Sequence, residues 1–172
     1  MTTETAEQVI KRLRMHPIPE EGAWIVEGPR AQGLSAATVL LTNRPDGFSA
    51  MHRLTVDEGW QWLAGAPAAL LRLRKGGSGV LNYVGPQTSQ FLVRHGTWMG
   101  ASSLGDWTLI SCWCSPAFRP ETKAIHLPSG LNRGCDSRSG LLVRRTCSVP
   151  AQFDSQMSPS SLSRVTSGRP TV

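Results

Sequence analysis

The sequence predicts an all-β fold, a single barrel or sandwich of short strands preceded by one short helix. Between residues 23 and 115 the chain consists of short apolar or alternating runs, each bounded by turn residues. The 17 glycines and 12 prolines are spread along the chain, as a protein with many turns requires. No helical pattern separates the runs, and strands at this spacing indicate a sandwich or a closed barrel. At 172 residues the chain can bury one core.

The N-terminal helix is predicted over residues 5–15. Thr5-Ala6-Glu7-Gln8 fits the capping-box pattern, and Val9, Ile10 and Leu13 follow at helical spacing. The helix should end at His16-Pro17, because a proline holds the preceding residue in extended geometry. The prolines of residues 17–22 cannot continue a helix, so an extended entry into the barrel is expected.

Eight candidate strands follow this entry, and a ninth closes the series. Turn signals such as Asn43-Arg44-Pro45-Asp46-Gly47 and Lys75-Gly76-Gly77-Ser78-Gly79 separate them. The predicted strands are Ala23–Glu27, Ala36–Thr42, Ser49–Leu54, Trp60–Ala64, Ala68–Leu73, Val80–Val84, Gln90–Val93, Thr97–Ala101 and Trp107–Cys114.

The charge distribution divides the chain into two parts. Residues 1–123, the predicted barrel with its helix, carry 12 lysines and arginines against 10 acids, and residues 124–172 carry 6 against 2. The second part is predicted to be a poorly ordered basic tail, rich in serine and arginine. A nearly neutral barrel argues against nucleic acid as a partner. No apolar stretch is long enough to span a bilayer and no leader opens the chain, so a cytoplasmic protein is predicted.

The four cysteines are Cys112, Cys114, Cys135 and Cys147. Cys112 and Cys114 lie two residues apart on a predicted strand, which puts both thiols on one face. Structural zinc sites usually have two residues between such ligands. Buried free thiols in a reducing compartment are therefore the prediction.

The segment from Gly47 to Gly65 is the most informative in the chain. It places His52 and Glu58 on either side of a corner between two strands, so that both can reach one interior. The segment resembles the first cupin motif, in which a glycine, two alternating histidines, a glutamate and a later glycine supply metal ligands from adjacent strands. The resemblance implies a cupin-type double-stranded β-helix, that is, a jelly-roll barrel.

Within that superfamily the chain resembles the cupin-5 family, also called domain of unknown function 985. Ser49 through Gln61 matches that family's Ser-x-x-His-Arg-Leu-x-x-Asp-Glu-x-Trp-His segment, with Gln61 in place of the last histidine. Residues 16–22, 94–99 and 111–118 match its other segments in order. The resemblance covers roughly residues 5–120, and it implies a homodimer.

The departures from the general cupin motif concern the metal ligands. His52 and Glu58 are present, but Leu54 replaces the second histidine and Met99 occupies the place of the last. Two protein ligands rarely hold a catalytic first-row metal. We therefore predict no cofactor, and a metal held by His52 and Glu58 in an oxygenase or decarboxylase is kept as an alternative.

Without a metal, the predicted chemistry is proton transfer on a small molecule. A histidine that titrates near neutrality beside an orienting carboxylate, either Glu58 or Asp57, can remove or deliver a proton. Tyr83 is predicted to supply an acid from the opposite strand. These catalytic residues, His52, Glu58 and Tyr83, predict an isomerase, epimerase or cyclase. A barrel that binds a small molecule without chemistry is the other alternative.

Four further residues are predicted to contact the substrate: Gln61, Trp98, Met99 and Glu20. Trp98 is expected to form a wall of the pocket with the Gln61 amide opposite it. Arg53 is expected to face away from His52, because neighbouring residues on a strand point to opposite faces.

Overall fold

The computed structural model describes residues 4–125 of the chain. A helix, α1, spans Ala6–Leu13, and a single 3₁₀ turn at Pro120–Thr122 precedes the last strand within this range. The strands described are β1 His16–Pro17, β2 Trp24–Ala31, β3 Leu34–Thr42, β4 Ser49–Leu54, β5 Asp57–Gly65, β6 Ala68–Leu73, β7 Gly79–Val84, β8 Gln90–Val93, β9 Trp98–Ser103, β10 Trp107–Ser115 and β11 Lys123–Ile125. All nine predicted strands are present, and the short β1 and β11 are additional.

The strands form two antiparallel sheets that pack face to face. The six-stranded sheet has the order β1-β2-β3-β10-β5-β8, and the five-stranded sheet has the order β11-β4-β9-β6-β7. Strand β10 lies between β3 and β5, with Cys112 opposite both Ala37 and Trp60. The predicted all-β fold with one short N-terminal helix is confirmed.

The main core lies between the two sheets. Its side chains alternate along each strand with outward residues, as the two-residue period of a strand requires. The largest fully buried side chains include Trp60, Leu41, Leu70, Met99 and Ile110. Burial of this apolar surface is the main favourable contribution to folding.

Helix α1 covers part of the outer face of the six-stranded sheet. The predicted capping box is confirmed: Thr5 Oγ1 accepts from the Gln8 backbone N–H at 3.4 Å, and Gln8 Oε1 accepts from the Thr5 N–H at 2.7 Å. Val9 packs against Leu40 and Leu109 in a second apolar cluster. The amphipathic helix therefore protects apolar residues that the sheet would otherwise expose.

The last described strand moves the expected boundary of the barrel. Strand β11 pairs with β4, with Lys123 opposite Leu54 and Ile125 opposite His52. The barrel thus extends at least to residue 125 rather than 123, and the rest of the predicted tail, with Cys135 and Cys147, lies outside the described residues. Over residues 4–125 the structure contains no helix with the length and apolarity to cross a bilayer.

The turn before β2 contains three residues in the left-handed region: Glu20 at φ 64°, Gly22 at φ 84° and Ala23 at φ 59°. The Ile18 N–H donates to the Ala23 carbonyl at 3.1 Å, which closes the turn. The Glu21 carbonyl accepts from the Ala50 N–H at 2.8 Å, which fixes the turn to β4. As a result, Glu21 is buried whereas Glu20 is exposed.

We expect Gly22→Ala to destabilise the protein by about 3 kcal/mol, because left-handed strain and a backbone collision add together. A Cβ at this position would lie 2.5 Å from the Phe48 carbonyl oxygen and 2.9 Å from that of Asp46. Gly33→Ala is the matched control, because Gly33 has φ 82° but no atom within 4 Å of the added Cβ. It should cost about 1 kcal/mol in urea unfolding. Equal losses of unfolding free energy in the two variants would show that the collision at position 22 does not contribute.

Candidate functional site

His52 lies in the interior of the barrel, on the core-facing side of β4. It is 3% exposed, and Met99 on the neighbouring β9 is its partner in the ladder. The imidazole Nδ1 lies 2.9 Å from the Ala50 carbonyl oxygen. Because a carbonyl can only accept, Nδ1 carries a proton and donates it there. The nitrogen that gains and loses a proton is therefore Nε2.

Glu58 faces His52 from the opposite sheet. Its carboxylate Oε2 lies 3.9 Å from His52 Nε2 and accepts from the indole Nε1–H of Trp60 at 2.9 Å. Glu58 and Trp60 are two residues apart on β5, so their side chains share the inner face. The structure thus brings together the two side chains that the sequence pairs, between the sheets.

A second carboxylate, Glu21, approaches His52 from the turn before β2. Its Oε1 lies 3.6 Å from His52 Nδ1 and accepts from the Ser49 hydroxyl at 2.7 Å. Its other oxygen, Oε2, forms an ion pair with the ammonium of Lys123 on β11. The imidazole therefore lies between two buried carboxylates, and Ser49 and Lys123 hold one of them in place.

These contacts determine the protonation of His52. Burial lowers the pKa of the imidazole, but Glu58, then Glu21 and the Ala50 carbonyl, outweigh that effect and raise the pKa of His52 above its ordinary value. Folding therefore favours the imidazolium form relative to an exposed histidine. With His52 protonated, the charges of Glu21, Glu58, His52 and Lys123 sum to zero.

The raised pKa of His52 predicts a pH-dependent stability. The folded state binds the His52 proton more tightly than the unfolded state, so this contribution is fully present below the unfolded pKa of about 6.5. It is lost as the pH rises through the higher folded pKa. We expect the difference in unfolding free energy between the wild type and His52→Gln to shrink as the pH rises above about 6.5, as measured by urea unfolding. A difference that grows with pH would contradict this assignment.

Two buried thiols border the carboxylate of Glu58. Cys114 is the ladder partner of Glu58, and Cys112 is that of Trp60. Burial, reinforced by Glu58, raises the pKa of Cys114 to about 12 and that of Cys112 well above its ordinary value. Both are free cysteines, as the sequence predicts, and both remain neutral thiols near neutral pH.

The other residues predicted to form the site have different positions. Met99 lies in the interior, 1% exposed and beside His52. Gln61 does not: Trp60 and Trp62 occupy the inner face of β5, so alternation turns Gln61 to the outer face. Trp98 alternates with the buried Met99 and faces outwards, where the Arg53 guanidinium lies 5.0 Å from its ring centre. The expected pocket contacts of Gln61 and Trp98 are therefore corrected.

Tyr83 and Glu20 also lie away from His52. Tyr83 is 51% exposed on β7, because its neighbour Val84 points into the core. Glu20 is exposed in the turn, and the adjacent Glu21 enters the site instead. Asp57 points away from His52: its Oδ1 accepts from the His95 backbone N–H at 2.8 Å. The predicted roles of Tyr83 and Glu20 in the site are corrected accordingly.

Three residues of the site were not identified from the sequence, where their signals are weak. Glu21 and Ser49 both lie in the segments that resemble the family, but their side chains meet only because of the turn at residues 18–23. Lys123 follows the last predicted strand, in a stretch of three residues that shows no strand pattern.

The donor set around His52 does not fit a catalytic first-row metal. Such a metal usually needs three protein ligands, and within residues 4–125 no three His, Cys, Asp or Glu side chains are arranged to hold one. Leu54 is buried apolar surface where a second histidine would be required.

The chain matches the profile of one protein family and is similar to solved structures. The sequence profile described as "Cupin superfamily (DUF985)" matches residues 7–125. A hypothetical protein from Leishmania major is similar at 27% identity and a TM-score of 0.65, over 72% of this chain and 88% of that one. A protein from Shewanella oneidensis is similar at 25% identity and a TM-score of 0.67, over 72% and 85%.

More distant structures share the fold. Oxalate decarboxylase from Bacillus subtilis is similar at 13% identity and a TM-score of 0.53, over 64% of this chain and 30% of that one. The likeness extends to the jelly-roll architecture, so the cupin-type fold expected from the sequence is confirmed. No curated protein matches the sequence.

Proposed function

This chain belongs to the cupin-5 (DUF985) family of the cupin superfamily, and on that premise we propose that it is an enzyme that isomerises a small molecule by proton transfer. The observation that carries the proposal is a buried imidazole between two carboxylates, with Nε2 of His52 3.9 Å from Oε2 of Glu58. A positioned acid and base of this kind can move a proton on a bound molecule, which is the chemistry of many isomerases, epimerases and cyclases.

Each member of the pair has a distinct role in this proposal. The Ala50 carbonyl fixes Nδ1 of His52 as a donor, so only Nε2 exchanges a proton with substrate. The two neighbouring carboxylates raise the pKa of His52, which favours a proton on Nε2, and in this proposal Nε2 is the general acid. Glu58, whose Oε2 accepts from the Trp60 indole N–H, acts as the general base in this proposal.

The reaction is a redox-neutral shift of hydrogen. The Glu58 carboxylate removes a proton from a carbon next to a carbonyl group, and the electron pair of the C–H bond forms a carbon–carbon double bond. The His52 Nε2 proton is delivered to the carbonyl oxygen, which gives an enediol or enol. In the second half of the reaction Glu58 delivers its proton to the neighbouring carbon of the enediol. The hydroxyl on the original carbon returns a proton to His52 Nε2 and becomes the new carbonyl, so the isomer forms and both side chains are restored. Glu21 and Lys123 position His52 and do not touch the substrate in this scheme.

The test is exchange of substrate protons with deuterium. Purified protein is incubated in D₂O with a panel of small aldoses, ketoses and 2-hydroxy acids, and the loss of each α-proton is followed by ¹H NMR. We expect at least one compound to lose its α-proton faster than with the double variant His52→Gln/Glu58→Gln, which preserves side-chain volume. A panel in which no compound exchanges faster than with the double variant would contradict the proposal and favour a barrel that only binds its ligand.

A metal-dependent oxygenase or decarboxylase would give a different result. Its activity would be lost on dialysis against a chelator and restored by a first-row metal. The exchange proposed here should be unaffected by such a chelator, because its acid and base are both protein side chains. Loss of exchange on chelation would contradict the metal-independent reaction.

A further inference from the structure

An arginine that the proposed chemistry does not use lies between the two sheets. Arg72 on β6 belongs to the same alternating set as Ala68 and Leu70, which are fully buried in the core. Its guanidinium carbon lies 4.7 Å from the ring centre of Phe91 on β8, in the opposite sheet. Phe91 is the ladder partner of the buried Trp60, so this guanidinium reaches across the interior.

The sheet register fixes the distance from Arg72 to the proposed acid. Arg72 is the ladder partner of Met99, and Met99 is that of His52, so the three residues form one row across the inner face of the five-stranded sheet. Two strand spacings separate the backbones of Arg72 and His52, which is about 10 Å. Met99 contributes an apolar surface between Arg72 and His52.

The guanidinium is held on one side and leaves its Nη groups available to a ligand. Its Nε–H donates to the Asn82 amide oxygen at 2.9 Å, and the Phe91 ring lies beneath it. The Nη groups, at the far edge of the fork, provide further donors. Among the acidic side chains of residues 4–125, none forms an ion pair with Arg72. Arg72 therefore brings to the inner face a positive charge that no carboxylate of the described residues pairs with.

We propose that Arg72, held by Asn82 and Phe91, binds the carboxylate of a small carboxylic acid substrate whose reacting carbon lies at His52 and Glu58. This inference deepens the proposed function and rests on it for the position of the reacting carbon. The planar fork of a guanidinium matches a carboxylate with two parallel hydrogen bonds. Trp60, Phe91 and Met99 provide the apolar surface for the carbon skeleton.

The test is titration of the ¹⁵N-labelled protein with acetate at constant ionic strength, followed through the backbone amides of Asn82 and Met99. Acetate is the smallest carboxylate with a methyl group, so it needs the least space between the sheets. We expect saturable shifts with acetate and none with acetamide, its neutral analogue. Arg72→Met should weaken acetate binding by at least about tenfold, and Arg72→Lys, which keeps the charge but loses the fork, by less.

Arg53→Met is the matched control. Arg53 also lies over an aromatic ring, that of Trp98, but on the outer face of the barrel. The Arg53→Met variant should bind acetate as the wild type does. Three results would overturn the inference. Acetate causes no shifts in the wild type, acetamide causes the same shifts as acetate, or the shifts with acetate are unchanged in Arg72→Met.

The two proposals can fail separately. The double variant His52→Gln/Glu58→Gln should still bind acetate, because Arg72 and Asn82 are intact. Acetate binding without proton exchange in any compound would contradict the proposed function and leave the anion site standing. Proton exchange that persists in Arg72→Met at an unchanged KM would overturn the anion site and leave the proposed function standing.

Discussion

Glu58→Gln should reduce the exchange of substrate α-protons about a thousandfold, because an amide cannot accept the proton that a carboxylate removes. The variant side chain is nearly the same size, and its amide oxygen can still accept from Trp60 Nε1 as the carboxylate does. The loss should therefore appear in kcat with the fold retained. It is measured as the exchange rate in D₂O, and circular dichroism and the melting temperature report the fold.

Asp57→Asn is the matched control for that loss. Asp57 is the residue before Glu58, but its carboxylate accepts from the His95 backbone N–H and contacts Arg94 on the surface. Removing its charge should leave the exchange rate within about twofold of the wild type, because this carboxylate contacts His95 and Arg94 and points away from His52. Equal losses in the two variants would show a general electrostatic effect instead of a base at Glu58.

Trp60→Ala should lower the free energy of unfolding by about 4 kcal/mol, because a large buried aromatic side chain is lost and a cavity remains. Trp60 is 2% exposed and contacts both the core and the carboxylate of Glu58. The change also leaves Glu58 Oε2 without its indole donor, which adds the cost of an unsatisfied buried group. Chemical denaturation at a fixed pH measures the loss.

Two further variants separate the parts of this effect. Trp60→Phe keeps much of the buried area but removes the N–H, so it should cost about 2 kcal/mol. Trp113→Ala removes a tryptophan that is 36% exposed on the outer face of β10, and it should cost about 1 kcal/mol. If Trp113→Ala were as damaging as Trp60→Ala, the interior position of Trp60 would not explain its contribution.

The fold was largely predictable because its signals are local. The capping box at Thr5 and the turn residues between the strands each act within a few residues, and the structure contains every strand that they separate. Strands β1 and β11 were not predicted, because two or three residues carry no periodic pattern. Their positions depend on pairing with β2 and β4, which are distant contacts in the case of β11.

The site was only partly predictable, because it depends on which face each side chain occupies. The sequence shows that Trp60 and Gln61 face opposite ways but not which of them is inside, and packing against the second sheet decides it. Near Glu20 and Glu21, the residues with left-handed backbone break the simple alternation of faces. Glu20 is therefore in solvent, whereas the carboxylate of the next residue, Glu21, lies beside His52. Arg72 could not be identified, because the sequence does not show that Phe91 lies across from it.

The ion pair between Glu21 and Lys123 joins residues about a hundred positions apart in the chain. On the ribosome, the nascent chain emerges from its N-terminus, so Glu21 appears long before its cationic partner. Until Lys123 leaves the exit tunnel, the Glu21 carboxylate must stay hydrated or pair with another cation. The ion pair that holds Glu21 beside His52 is thus among the last contacts of residues 4–125 to form during translation.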